Sequence, residues 1–115
     1  MSNQSNMLLN AVLDRLVPYI MRQGPYEAPH HAERTDVSYH VFRPVAPTSF
    51  ESLEIEMLHC DGSVRLSWGD KQINISPDTT RGFVVFFNEG LREDTTAQEF
   101  ATLDSMMDQA VLFAA

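Results

Sequence analysis

Four histidines are the residues of this 115-residue chain best suited to binding a metal. His30 and His31 are adjacent, so their side chains diverge and do not form the i, i+4 pair that a helix offers to zinc. His40 and His59 lie in predicted strands, and no Cys-x-x-Cys or His-Glu-x-x-His motif accompanies them. We predict no metal and no other cofactor, with a site shared between the loop and strand histidines as the alternative.

Cys60 is the only cysteine and therefore the only candidate thiol nucleophile. A reactive thiol needs a helix N-terminus or a cationic neighbour to lower its pKa. His59 is adjacent in sequence, but successive strand residues point to opposite faces, so it does not supply that neighbour. A single cysteine also excludes an internal disulfide and favours a reducing, cytoplasmic location.

Other catalytic patterns are missing or unspecific. The sequence has no Gly-x-Ser-x-Gly elbow and no glycine-rich phosphate loop. Sixteen acidic residues always offer carboxylate pairs, and the Glu51, Glu54 and Glu56 series is more simply the wet face of a strand. We predict a protein that is not an enzyme. The rival is a small enzyme or ligand-binding domain with a pocket between sheet and helices, using His40, His59 and a carboxylate.

The elements that would position these residues begin with a helix, predicted over Ser5 to Met21. Its apolar stripe at helical spacing is Leu9, Val12, Leu13, Leu16 and Ile20. Pro18 lies opposite the stripe and should kink or end the last turn, and Gly24-Pro25 stops the helix. Val37 to Arg43 is typical of a strand that ends at Pro44.

A three-strand meander occupies the middle of the chain. Asp61-Gly62 predicts a two-residue hairpin that sets His59 opposite Val64 and Met57 opposite Leu66. A second tight turn at Gly69-Asp70 predicts Ile73 beside Leu66 and Ile75 beside Val64. Both turns place the apolar residues on one face, and a slip of one residue would destroy this agreement.

Phe83 to Phe87 predicts a fourth strand, and a helix is predicted from Ala97 to Phe113 with Thr96 and Glu99 as a capping box. The coarse order is α-β-β-β-β-α. We therefore predict a single α+β domain over residues 1–115, a four-stranded antiparallel meander with the N- and C-terminal helices packed on one face.

The net charge of −8 and eight scattered basic residues argue against binding to nucleic acid or to an anionic membrane, both of which need a cationic footprint. The polar N-terminus does not resemble a signal peptide, and no apolar run is long enough to span a bilayer. Hydrophobic residues make up 43% of the chain, which is enough to form a core without stabilising cross-links such as disulfides.

An apolar surplus is the feature that most needs an explanation. The strand Phe-Val-Val-Phe-Phe is apolar on both faces, whereas the outer face of the meander is polar. We predict that part of this surplus contacts another protein, with a homodimer as the simplest form. The predicted interface residues are Val84, Phe86, Met106, Leu112 and Phe113. The alternative is a central strand covered by the Pro44–Phe50 connection.

The plan of an N-terminal helix (Leu9 to Ile20), a four-strand sheet and a C-terminal helix (Thr96 to Phe113) resembles small bacterial regulators that bind and inactivate a protein. The example is a quorum-sensing anti-activator that blocks dimerisation of a LuxR-type activator. The resemblance covers size, acidity and element order, and it implies a protein-binding inhibitor without assigning roles to residues.

Type III secretion chaperones provide a second likeness, because they are small, acidic, dimeric α/β proteins. They usually place a helix between their strands, whereas Leu53 to Ile75 is predicted to run as an unbroken meander. This departure makes the chaperone the lesser alternative.

Overall fold

The computed structural model describes residues 3–21, 27, 30–43, 45, 52–90 and 97–114. Within these ranges the chain forms an N-terminal helix, a seven-stranded sheet and a C-terminal helix. The predicted Gly24-Pro25 helix stop and Thr96 lie outside the described residues, as does most of the Pro44–Phe50 connection. None of the described helices is long and apolar enough to cross a membrane.

The N-terminal helix has three consecutive parts. α1 (Asn3–Ala11) leads into a π-helical stretch, Val12–Leu16, which leads into α2 (Val17–Met21). The backbone N–H of Val17 donates to the carbonyl of Val12, five residues back. Pro18 follows directly and has no N–H, so the wider turn lies where the regular ladder loses a donor. The predicted disturbance by Pro18 therefore falls just before the proline, and the helix continues to Met21.

The sheet is an antiparallel meander in which every strand pairs with the next strand along the chain. Its strands are β1 (His30–Glu33), β2 (Val37–Phe42), β3 (Leu53–Leu58), β4 (Val64–Trp68), β5 (Lys71–Asp78), β6 (Gly82–Glu89) and β7 (Gln98–Phe100). Buried and exposed side chains alternate along β3, where Leu53, Ile55 and Met57 are buried. This alternation is typical of a sheet with one face packed against a core.

The prediction of a four-stranded sheet is wrong, because the sheet has seven strands. Val37–Phe42 belongs to the same sheet as the meander and pairs with β3 along its whole length. The two edge strands were missed. β1 has four exposed residues with no apolar alternation, and β7 has three residues. Such short edge segments carry little periodic pattern, and their pairing depends on contacts distant in sequence.

The register predicted for the hairpin at Asp61-Gly62 is wrong by two residues, because Met57 pairs with Val64 rather than with Leu66. The connection has five residues. Asp61 accepts a hydrogen bond from the N–H of Ser63 at 2.9 Å, and Gly62 adopts a φ of 74°. A shift of two residues leaves every side chain on its predicted face. At the next turn, the predicted pairs Leu66–Ile73 and Val64–Ile75 are confirmed.

The C-terminal helix begins later than predicted. α3 (Leu103–Ala114) is preceded by β7, in which Glu99 pairs with Val84 instead of belonging to a capping box. The hydroxyl of Thr102 accepts a hydrogen bond from the N–H of Ser105 at 3.2 Å. Thr102 therefore caps the helix in the way predicted for Thr96, six residues further along the chain.

Both helices pack on the same face of the sheet, as predicted. The buried apolar cluster draws on the N-terminal helix, on the sheet and on α3. Its members are Leu8, Val12, Leu16, Val17, Ile20, Phe42, Leu53, Ile55, Met57, Val64, Leu66, Ile73, Ile75, Val85, Met106, Met107 and Ala110. Each fully buried aliphatic side chain stabilises the fold by about 1.5–3 kcal/mol relative to exposure. We call the side of the sheet that packs against the helices the covered face.

Candidate functional site

The predicted interface residues separate onto two sides of the molecule. Val84 and Phe86 are on the side of β6 that faces away from the helices, and Phe86 keeps 38% of its surface exposed. Leu112 is 68% exposed, but it lies on α3, in the helix layer. A single flat interface therefore does not include both Phe86 and Leu112.

The other two predicted interface residues contribute to packing within the chain. Met106 is fully buried in the core, so its side chain is not available to a partner. Phe113 is partly buried, with ring centroids 5.1 Å from Phe87 and 6.3 Å from Trp68. Lys71 Nζ donates to the Phe113 carbonyl at 3.0 Å. Phe113 thus closes the end of α3 onto the covered face.

The side of the sheet opposite the helices is the better candidate surface. We call it the open face, and define it by the side chains that share a face with Arg65 through the strand register. They are His30, Ala32, Val37, Tyr39, Val41, Glu54, Glu56, Leu58, Arg65, Ser67, Gln72, Asn74, Ser76, Asp78, Val84, Phe86, Asn88 and Glu99. All of these residues are half-buried or exposed, since no described helix packs against them.

Apolar side chains occupy both flanks of the open face. Val84 and Phe86 form one flank on β6, and Tyr39 and Leu58 mark the other on β2 and β3. Leu58 keeps 36% of its surface exposed. The sequence analysis singled out β6 but missed this second flank, although Leu58 alternates in phase with Glu54 and Glu56. Two apolar flanks make the open face a larger candidate surface than β6 alone.

The middle of the open face is polar and internally paired. Arg65 Nε donates to Asn74 Oδ1 at 2.9 Å, and its guanidinium lies 3.9 Å from Glu56 Oε2. Near β7, the guanidinium of Arg81 lies 3.2 Å from Glu99 Oε1. These pairs are exposed and so stabilise the fold little. They pair Glu56 and Glu99, two of the four carboxylates that the register places on this face; the other two are Glu54 and Asp78.

A shallow groove of about 350 Å³ crosses β3, β4 and β5 on the open face. Its lining residues are Glu56, Leu58, Asp61, Ser63, Val64, Arg65, Asn74, Ile75 and Ser76. Across the described part of the chain, every buried side-chain nitrogen or oxygen has a hydrogen-bond partner. Most side chains that line the groove are half-buried or exposed, so the groove is an open part of the open face rather than an enclosed cavity.

A serine–histidine contact lies at the opposite face, near the β1 edge. Ser38 Oγ is 2.7 Å from His59 Nε2, and His59 Nδ1 is 3.3 Å from the Thr35 carbonyl oxygen. The same hydroxyl lies 3.3 Å from Glu33 Oε1, and its single hydrogen is donated either to this carboxylate or to His59. His59 lies in the β3–β4 connection rather than in a strand, and its N–H donates to the Asp36 carbonyl. These contacts fasten that connection to β1 and β2.

The Ser38–His59 pair resembles a nucleophile and its base in distance only. The carbonyl of Thr35 needs a donor at Nδ1, which leaves Nε2 of a neutral ring to accept from Ser38. Ser38 is however only 3% exposed, and its hydroxyl also contacts the Glu33 carboxylate. A substrate carbonyl would have to enter a buried position, so the geometry favours a structural clamp.

His31 and His40 stack beside this clamp, with ring centroids 4.4 Å apart. Burial lowers the pKa of His40, and the neighbouring His31 lowers it further, while Glu33 acts in the opposite direction. His31 Nε2 lies 3.7 Å from Glu33 Oε1, and His30 points to the other side of β1. His31 and His40 thus share the covered face with the Ser38–His59 contact near the β1 edge, whereas His30 lies on the open face of the same strand.

A metal site is not formed among the described residues, which contain no group of three or more histidine, cysteine or acidic side chains placed to hold an ion. Cys60 is exposed in the β3–β4 connection and carries a free thiol. Neither residue type therefore points to a chemical centre in this part of the chain.

Comparison of the chain with protein-family models, with curated proteins and with solved structures gives no match. The candidate site consequently depends on the physical properties of the surfaces themselves. The open face is the surface with the clearest property, because its flanks expose apolar side chains.

Proposed function

We propose that this chain is a non-enzymatic protein-binding module that acts by laying its open face against another protein. The observation that carries the proposal is the orientation of β6. Val85 is fully buried on the covered face, while the ring of Phe86, its neighbour, keeps 38% of its surface exposed on the open face. One copy of the chain therefore leaves one side of its most apolar strand in contact with solvent.

Exposed apolar surface of this kind favours association. Burial of apolar area contributes about 25 cal/mol per Å², and exposed apolar patches rimmed by polar groups often mark binding sites. Phe86, Val84, Leu58 and Tyr39 supply such area on a rigid scaffold, because each belongs to a paired strand. A partner that covers them gains this energy without reordering the sheet.

The composition of the open face supports the same conclusion. Interface cores are enriched in aromatic residues and arginine and depleted in lysine and carboxylates. The open face has Tyr39, Phe86 and Arg65 and its defined residues include no lysine, although it also holds the carboxylates of Glu54, Glu56, Asp78 and Glu99. Arg34 lies 5.8 Å above the ring of Tyr39, so this aromatic residue is already held in place at the β2 flank.

An inhibitor or anti-activator is the concrete form of this function that we propose, one that covers an apolar surface of a regulatory protein. The unbroken meander through β3, β4 and β5 supports this form over a secretion chaperone, whose strands would be interrupted by a helix. The rival enzyme or ligand-binding domain has less support. Of two grooves lined by described residues, one lies on the open face and the other at the β5–β6 turn beside Ala101.

Site-specific photo-crosslinking in the native cell tests the proposal. A photoreactive phenylalanine analogue replaces Phe86 in one variant and Leu112 in a matched variant on the helix layer. We expect protein adducts from position 86 and few or none from the more exposed position 112. If position 86 gives no adduct, or if both positions give the same nonspecific adducts, the open face is not a docking surface.

A further inference from the structure

We infer that β1 is an acid-released edge strand, which a pair of uncharged histidine rings helps to hold on β2 and which loosens when both rings carry a proton. The two residues of this pair are His31 and His40. The inference concerns one edge of the sheet and goes beyond the proposed function of the open face. It is argued from the strand register, from the few contacts of β1 and from the charges around the two rings.

The two rings lie directly opposite each other across the β1–β2 pairing. The register matches His31 with His40, and their ring centroids are 4.4 Å apart with the ring planes tilted by 30°. Uncharged rings at this distance form an aromatic contact that favours the pairing. Like charges on directly opposite residues of a sheet destabilise the pairing instead. The protonation state of the pair therefore decides whether it holds β1 or repels it.

β1 has few other contacts to keep it in place. It consists of four exposed residues at the edge of the sheet, and β2 is its only neighbour among the described strands. At the β1–β2 turn, the N–H of Arg34 donates to the carbonyl of Val37 at 2.8 Å. Before β1, the N–H of Glu27 donates to the carbonyl of Arg43, also at 2.8 Å. A segment with so little buried surface opens at a low cost in free energy, so a local repulsion shifts its equilibrium without unfolding the core.

The charged groups around the pair do not cancel two protons. Glu33 follows His31 on the same side of β1, with its Oε1 3.7 Å from His31 Nε2. This carboxylate has one negative charge, so the doubly protonated pair keeps one positive charge in excess. On the other side of β2, the residue paired with His40 is the apolar Ile55.

The remaining neighbouring elements add no compensating charge among the described residues. His31 and Glu33 are the charged or titratable neighbours that act on His40. The N-terminal helix, whose described titratable groups are Asp14, Arg15 and Tyr19, supplies none of these neighbours. In the β3–β4 connection, His59 is the nearby titratable group, and it brings no negative charge.

The pKa of His40 agrees in direction with this account. Burial lowers this pKa below its ordinary value of 6.5, and the neighbouring His31 lowers it further, against the opposite effect of Glu33. Because the paired strands disfavour the protonated ring, protonation disfavours the paired strands by the same amount. Acid therefore shifts the equilibrium toward the separated strands, most strongly below about pH 6.5.

Hydrogen exchange of the full chain at pH values of about 7.5 and about 5.5, one unit to either side of the ordinary value, tests the inference. Each exchange rate is divided by that of an unstructured peptide at the same pH, which gives a protection factor. We expect the amides that bond β1 to β2 to lose protection at the lower pH by roughly fivefold or more, the factor for two charges about 4 Å apart in water. Amides of β4, in the middle of the sheet, are the internal reference and should keep their protection.

Three histidine variants show whether the pair is responsible. His40→Gln removes one of the two charges and should abolish the acid response of the β1 amides. His31→Gln should do the same at the more exposed partner, whose side chain is 49% exposed, and it keeps the test decisive if His40→Gln fails to fold. His30→Gln is the matched control and should keep the response, because His30 lies on the open face of the same strand, opposite Val41.

Three outcomes overturn the inference. The β1 amides of the unmodified chain keep their protection at the lower pH, or the β4 amides lose as much protection as those of β1, or His31→Gln responds to acid as strongly as His30→Gln. The proposed function fails separately, when crosslinking from position 86 finds no protein at all.

Discussion

The covered face and the open face are made by the same strands and differ in almost every physical property. Ile55, Leu66 and Ile73 form a row across the covered face and are fully buried beneath the helices. Their sequence neighbours Arg65 and Asn74 lie on the open face, where they form a solvent-exposed hydrogen bond with each other. The period of two in these strands therefore separates a core from a polar surface.

The difference breaks down at the flanks of the sheet. On β6, Val84 and Phe86 extend apolar character onto the open face, and Leu58 does the same on β3. A sheet that needed only water on this side would continue the polar pattern of β4 and β5. The proposed contact with a partner therefore depends on the flanks of the open face rather than on its middle.

Removing a side chain from the middle of the covered face should give the largest effect on stability. Leu66→Ala leaves a cavity beneath the helices, and we expect a loss of about 2–5 kcal/mol in the free energy of unfolding. Ser67→Ala, its neighbour on the open face, should change that free energy by less than about 0.5 kcal/mol. Urea denaturation of both variants measures the contrast, and equal losses would mean that the two faces are packed alike.

The junction that joins β6 to the helix layer should be nearly as sensitive. Gly82 has a φ of 87°, and a Cβ there would lie 2.4 Å from the Phe100 carbonyl oxygen. We expect Gly82→Ala to destabilise the fold by about 2 kcal/mol or more. Gly69→Ala is the matched control, with a φ of 58° and no atom within 4 Å of the added Cβ. Thermal melts that show a larger loss at Gly69 would contradict the close contact at Gly82.

The contact that holds the end of α3 on the covered face should contribute less. Lys71 Nζ donates to the Phe113 carbonyl and lies 5.3 Å from the Phe113 ring centroid. Lys71→Met keeps the apolar stem and removes the charged donor, and we expect a loss of about 1 kcal/mol. Amide exchange in the last turn of α3 should accelerate in this variant. An unchanged exchange rate would show that the aromatic contacts hold the helix end without Lys71.

The pH dependence at the β1 edge should be the smallest effect. The folded chain holds the pKa of His40 below its ordinary value of 6.5, so the unfolded chain takes up this proton more readily. Stability therefore falls as the pH drops below about 6.5, by less than about 1 kcal/mol because the ring is partly exposed. His40→Gln should flatten this dependence in urea titrations between pH 7.5 and 5.5, about one unit to either side of that value, whereas His30→Gln should not. Equal slopes in the two variants would assign the dependence to other groups.

The sequence predicted the middle of the sheet better than its edges, for a physical reason. The alternation in β3, β4 and β5 is imposed by the core, so the faces of Leu66 and Arg65 follow from the pattern alone. The edge strands β1 and β7 pair through few residues, and Glu99 looks like a helix cap until its pairing with Val84 is known. Local pattern does not contain that long-range contact.

The candidate surface was predicted in part. The double apolar character of β6 pointed to Phe86 and Val84, which the register places on the open face, with Phe86 exposed and Val84 half-buried. Met106 and Phe113 were predicted as interface residues because they widen the apolar stripe of the last helix. In the structure Met106 is fully buried in the core, and Phe113 is partly buried against Phe87. Which apolar residues of a helix remain outside the core depends on how the helix lies on the sheet, and the sequence does not specify that orientation.

Hydroxyl-radical footprinting tests most directly whether the open face is covered by protein. Oxidation of Phe86 and Tyr39 is compared with oxidation of Leu112, in dilute purified chain, in concentrated purified chain and in the native cell. The account predicts that Phe86 and Tyr39 become protected in the cell, while Leu112 stays reactive in all three samples. Phe86 that is equally reactive in all three samples would contradict the claim that a protein covers this face.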